Sequence, residues 1–131
     1  MKHEEVGDAL AAAAQDEWAA VCWFYACYHI VKAELLCDPV FDDPEFLASC
    51  QPSLLPQDRD VKQHQARAGG KDGGRGMKEV IKALYPEIRA SHSALHHASI
   101  QVRYEGGYPL PLDRVREHLV TVKEWSEART P

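Results

Sequence analysis

Positive charge is in short supply in this sequence. Fifteen Lys and Arg stand against twenty Asp and Glu, for a formal net charge of −5 at pH 7. A broad, non-specific nucleic-acid surface needs a basic field that displaces counterions from phosphates, so the composition argues against that class. A small basic pocket stays open. No segment shows sustained strand alternation, and no internal repeat is visible. The four cysteines, Cys22, Cys27, Cys37 and Cys50, lack the spacing of a metal site. Cys22 and Cys27 stand five apart on one helix and point different ways, too far for a disulfide. Reduced, buried thiols in a cytoplasmic protein are expected. The N-terminus, Met1-Lys2-His3-Glu4-Glu5, is acidic where a secretory signal is basic. The longest apolar run, Trp18 to Val31, is interrupted by His29 and bounded by Glu17 and Lys32. It falls short of the roughly 20 apolar residues of a membrane span, so a buried core helix is expected and no membrane partner.

What is present reads as helix. Residues 4–14 are Ala-rich with acids in the first turn, which suits a helix start. From Asp16 to Cys37 there is no Gly or Pro, and the segment is apolar on nearly every side. Trp18, Val21, Cys22 and Tyr25 line one side; Trp23, Phe24, Cys27 and Val31 line another. Such a helix is expected at the centre, surrounded by partners. Asp38-Pro39 ends it, since a residue before Pro disfavours the α region. Residues 38–60 carry four prolines among acids, with a helical turn expected at Pro44–Cys50. Asp58–Ala68 reads as a short polar helix, and residues 69–76 as a flexible Gly-rich loop. Met77, Val80, Ile81, Leu84 and Tyr85 have helical spacing until Pro86 interrupts. Ile88, Leu95 and Val102 recur every seven residues across 87–103. After the Gly106-Gly107 turn, Leu112, Val115, Leu119, Val122 and Trp125 mark a last amphipathic helix to about Ala128. The expectation is one all-α domain over residues 1–131: a helical bundle of five or six helices around a central aromatic-rich helix.

Several side chains carry candidate chemistry. On the 87–103 helix, His92, His96, Ser99 and Arg103 fall within a narrow arc beside the apolar row. That stripe is expected to face solvent or a cleft. His92 and His96 stand four apart, a spacing that can hold zinc, but residue 93 is Ser rather than Glu and no third ligand is evident. Neither metal nor cofactor is expected. Arg103, followed by Tyr104 at the helix end, can grip a phosphate with its planar fork or cap its own helix. His64 and Arg67 share a face if their segment is helical. His29 is the lone titratable group within the apolar helix. The Gly-rich loop lacks the Gly-Lys-Ser/Thr ending of a phosphate loop, and no strand precedes it.

The run Trp18-Ala19-Ala20-Val21-Cys22-Trp23-Phe24-Tyr25-Ala26-Cys27-Tyr28-His29 resembles the aromatic-rich second helix of the HEPN superfamily, helical bundles of prokaryotic toxin and defence systems. Leu95 through Ser99 to Arg103-Tyr104, then a Gly/Pro turn and a last amphipathic helix, also resembles that pattern, as does the pair His64 and Arg67. The resemblance spans roughly residues 15–128. It implies a metal-independent ribonuclease, often a homodimer, whose signature is Arg, four to six residues, then His. Arg103 stands where the family has its Arg, and Tyr108 stands where the His belongs. Literal matches fall elsewhere, at Arg59 with His64 and Arg89 with His96.

Two functional expectations follow. In the first, the chain binds or cleaves RNA or a nucleotide: His64 as acid/base and Arg103 on the phosphate, with Arg67, Tyr104 and His29 binding or orienting the substrate. In the second, the bundle is a non-catalytic protein–protein interaction module that pairs with itself or another protein, through exposed apolar positions such as Trp125.

Overall fold

A computed structural model describes residues 2–12, 16–52, 54–60, 76–104 and 112–129, with the side chains of 16–17 and 101–104 outside the description. Among these residues the protein is all-α, with six α-helices. They are α1 (Lys2–Ala12), α2 (Asp16–Cys37), α3 (Pro44–Cys50), α4 (Met77–Leu84), α5 (Arg89–Tyr104) and α6 (Leu112–Arg129). Short 3₁₀ turns occupy Pro39–Asp42, Pro56–Asp60 and Pro86–Ile88, each opened by a proline whose missing N–H costs nothing there. The chain divides into two compact units: residues 1–31 with 90–131, and residues 32–89.

In the first unit, α1, the N-terminal part of α2, α5 and α6 close a ring of contacts. Trp23 Nε1 of α2 donates to Asp8 Oδ1 of α1 at 3.0 Å. Phe24 of α2 lies against the His92 and His96 rings of α5, with centroids 5.9 and 5.0 Å away. Ser91 of α5 shares a hydrogen bond with His118 of α6. Arg116 and Lys123 of α6 return to Asp8 and Glu4 of α1. Ala19, Ala20, Trp23, Phe24, Ala26, Cys27 and Val31 from α2 meet Leu95 from α5 and Val115, Leu119 and Val122 from α6 in the core. α1 approaches α2 so closely that only glycine fits at position 7: a Cβ there would lie 2.6 Å from the Trp23 ring.

The aromatic-rich helix is thus largely interior, as its composition predicts, but not on every side. At about 100° per residue, its buried positions sweep roughly 220°. The remaining stripe carries Trp18, Cys22, Tyr25 and His29, none of them buried. By length and composition the stretch Trp18–Asp42 could cross a membrane, yet half of its most apolar window is buried inside the protein. Its packing is that of a core helix.

The second unit is held by short-range polar bonds as much as by its apolar core of Leu35, Phe41, Leu47, Leu54, Met77, Val80, Ile81, Tyr85 and Ile88. Asp38, where α2 ends, is its knot. One carboxylate oxygen accepts from the Val40 N–H at 3.0 Å, and the other accepts from the buried Tyr85 hydroxyl at 2.6 Å. The Asp38 carbonyl accepts from Arg59 Nη2 at 2.7 Å. Asp43 caps α3 through the Phe46 N–H, and Glu79 accepts from the Gly76 N–H at the start of α4. The polar helix expected over Asp58–Ala68 begins as the 3₁₀ turn Pro56–Asp60; its remainder, and residues 69–75 of the Gly-rich loop, lie outside the described residues.

Candidate functional site

Two histidine pairs come together in the first unit, one buried in the core and one reaching solvent. The first is the pair singled out by spacing. His92 and His96 follow one another on α5, with ring centroids 6.3 Å apart. Their stripe does not face solvent or an open cleft. His92 is 0% exposed, and Ser91, His96 and Ser99 are buried with it. The reason is geometric: the arc holding Leu95 and Ala98 also holds these polar groups, so burying the apolar row buries the stripe. Phe24 packs against both imidazoles, which makes the pair part of the core.

The second pair was not legible as a pair. His29 of α2 is exposed, and the half-buried His3 of α1 stacks on it, with centroids 4.9 Å apart and planes 10° from parallel. Tyr28 meets His29 edge-on at 5.3 Å, and Tyr25 lies 6.1 Å from His3. His29, expected as a group buried in the core helix, therefore sits on the surface with a ring partner from another helix.

This pair ends a longer exposed face. Trp18, Cys22, Tyr25 and His29 recur at intervals of four, three and four, one stripe of α2. Alongside, His3, Val6 and Leu10 mark the neighbouring edge of α1 by the same rule. α1 runs antiparallel to α2, since His3 meets His29 while Asp8 meets Trp23. Trp18 is 56% exposed and Val6 43%, two large apolar side chains left in water on adjoining helices. Burial raises the pKa of the Cys22 thiol. Cys27, on the buried side of the same helix, is pushed up to about 12 by burial and is inert as a nucleophile.

The opposite edge of α1 is electrostatic. Arg116 grips both oxygens of Asp8 at 2.9 Å, and Lys123 holds Glu4 at 2.8 Å. The Arg116 hydrogen bond, with help from Trp23, lowers the Asp8 pKa, and the same bond raises that of Arg116. This is a clamp between α1 and α6 that orients α1, and with it His3.

Of the residues expected from the sequence to handle RNA, His64 and Arg67 lie outside the described residues, as does Tyr108. Arg103 and Tyr104 close the last turn of α5, with their side chains outside the description. Arg59, half of one literal Arg–His match, is occupied structurally: it bonds Asp38 and Asp42, and its guanidinium lies 5.2 Å from the Phe41 ring centre. Trp125, expected as an exposed contact, is half-buried beneath Arg129. Among the described residues no cluster of three or more His, Cys, Asp or Glu is placed to hold a metal. No family model, curated protein or solved structure matches this chain.

Proposed function

We propose that the protein is a helical interaction module that pairs with a second copy of itself through the exposed face shared by α1 and α2. The observation that carries this reading is the placement of Trp18 and Val6, both large and both left in water, on adjoining edges of two packed helices. Exposed large apolar groups grouped on one face mark an interaction site more often than scattered ones do. The occupant is a second copy because a two-fold axis through such a face buries Trp18 twice, once on each side. α1 holds eleven residues, about 16 Å of helix. With two helices side by side the face offers roughly 300–400 Å² per copy. A stable interface buries about 800 Å² per partner, so pairing through this face is reversible and concentration-dependent. A cytoplasmic setting accords with four free thiols. Sedimentation over a wide concentration range tests the reading. The wild type shifts towards dimer as concentration rises, and Trp18→Glu stays monomeric. An unchanged isotherm for Trp18→Glu contradicts the proposal.

A second reading, RNA binding or metal-independent cleavage, is favoured by the stacked His3–His29 pair between Tyr25 and Tyr28, since exposed rings can stack bases. The resemblance to HEPN bundles points the same way. Cleavage in EDTA by wild type, lost in His64→Ala, Arg103→Ala and His29→Ala, supports it; no cleavage of a broad RNA set by the wild type removes it. The acidic balance of the chain weighs against this reading.

A further inference from the structure

Of the helices in the first unit, α1 is held in a different way from the rest. α5 and α6 bury Leu95, Val115, Leu119 and Val122. Of the eleven residues of α1, Glu4 and Gly7 alone are buried: one is a carboxylate and the other has no side chain. What α1 sets against α6 is charge. The Arg116 fork donates to both Asp8 oxygens at 2.9 Å. Lys123 Nζ donates to both Glu4 oxygens at 2.8 and 2.9 Å, and Arg116 Nη2 reaches Glu4 at 3.3 Å. Glu4 and Asp8 stand one turn apart, Arg116 and Lys123 two turns, so the four groups form one ladder between the helices. The Arg116, Lys123 and Asp8 side chains keep 39%, 38% and 42% of their surface in water, so dissolved ions reach the ladder and screen it. A second observation concerns Gly7. A Cβ there would lie 2.6 Å from the Trp23 ring, so α1 docks only because position 7 is glycine. Glycine is also among the poorest helix formers. A helix of eleven residues is shorter than the roughly 12–15 that hold alone in water even in alanine-rich sequences. α1 is therefore helical when docked and unfolded when free; docking and helix formation are one step.

We infer that α1 is a charge-held strap, which folds onto α2 and α6 when Glu4 and Asp8 meet Lys123 and Arg116, and which leaves as a unit when dissolved ions weaken those pairs, while α2, α5 and α6 stay packed. Segments that open locally in this way have few buried apolar contacts and solvent-reached polar ones, and α1 has both. Opening uncovers Trp23, which is 2% exposed in the closed state, and releases its indole N–H from Asp8. It frees the Arg116 and Lys123 cations. It also carries Val6 away from Trp18 and His3 away from His29, so the face shared by α1 and α2 exists only while the strap is closed. The strap opens and closes within a single copy and does not depend on self-pairing.

The test is hydrogen exchange of the full chain, read by mass spectrometry at about 0.05 M and about 1 M NaCl, where the Debye length falls from more than 10 Å to about 3 Å. The reporters are the amides of Val6 to Ala12, which bond within α1, beside those around Leu95 in α5. Wild type is compared with Glu4→Gln/Asp8→Asn, which keeps the shape of both side chains and removes their charge. Trp18→Glu is measured alongside, so that protection from self-pairing is told apart from protection by the strap. In wild type and in Trp18→Glu, the α1 amides are expected to exchange about fivefold faster at high salt, with the α5 amides unchanged. The double variant should exchange fast in α1 at low salt already, keep its α5 protection and show little further response to salt. Acrylamide should quench its fluorescence more strongly, as Trp23 comes into reach. An α1 rate that salt does not change overturns the strap, as does a double variant that keeps the full wild-type response. Loss of protection in α5 together with α1, by salt or in the double variant, also overturns it, because α1 would then be part of one cooperative core.

Discussion

His92 with His96 and His3 with His29 are the same two residues chemically, placed in opposite surroundings. The first pair lies four apart on one helix, is buried against Phe24 and belongs to the core. The second is separated by most of two helices, reaches solvent and borders an apolar face. Sequence spacing finds the first pair at once and says nothing of the second. What decides availability for chemistry is which arc of the helix the apolar row drags inward. On α5 the row drags two histidines with it. On α2 the apolar residues exceed what one core can cover, and the stripe left outside takes Trp18, Tyr25 and His29.

This contrast can be broken most directly by removing one imidazole from each pair. His92→Ala is expected to cost about 3 kcal/mol of unfolding free energy, since it opens a cavity in a packed core. His29→Ala should lie within about 0.5 kcal/mol of wild type, as exposed substitutions do. Urea titrations of the two variants check it; equal costs would mean that the pairs do not differ in burial as described.

The attachment of α1, which brings His3 to His29, depends on Gly7. Gly7→Ala would press a methyl into the Trp23 ring, and is expected to cost about 2 kcal/mol as an overpacked contact. The tryptophan fluorescence should shift with it. A neutral outcome would show that α1 can move off α2 freely.

A smaller effect belongs to the clamp on the other edge of α1. Asp8 has a folded pKa below its ordinary 3.8. Its contribution is therefore fully present above the unfolded value and is lost as pH falls through the folded one. Both partners are partly solvated, side chains 39% and 42% exposed, so screening holds the contribution to about 1 kcal/mol or less. Stability measured from pH 6 downwards should fall below about pH 4 more steeply in wild type than in Asp8→Asn. Parallel curves would show that the clamp does not couple to folding.

Much of the fold was legible in the sequence. The Gly- and Pro-free segment from Asp16 to Cys37 is α2, Pro44–Cys50 is α3, and Asp38-Pro39 and Pro86 end their helices. These are local signals, carried by backbone chemistry within a few residues. The exposed face was not legible, because it depends on the antiparallel pairing of α1 with α2, fixed by Gly7, Trp23 and Asp8 together. Its trace in the sequence is the Trp18, Cys22, Tyr25, His29 stripe, which reads as core until the neighbours of α2 are known. Trp125 differs in the other direction: the sequence predicts an exposed ring on α6, and Arg129 one turn later lies over it. The Asp38 knot joins residues 38, 59 and 85, a long-range polar set that no spacing rule finds.

Whether the α1–α2 face pairs two copies is decided by sedimentation equilibrium of wild type beside Trp18→Glu in EDTA. A reversible monomer–dimer isotherm is expected for wild type from micromolar to near-millimolar concentration. Trp18→Glu should remain a monomer of unchanged stability throughout. A wild type that stays monomeric over the whole range, or a variant that pairs as well as wild type, would contradict it.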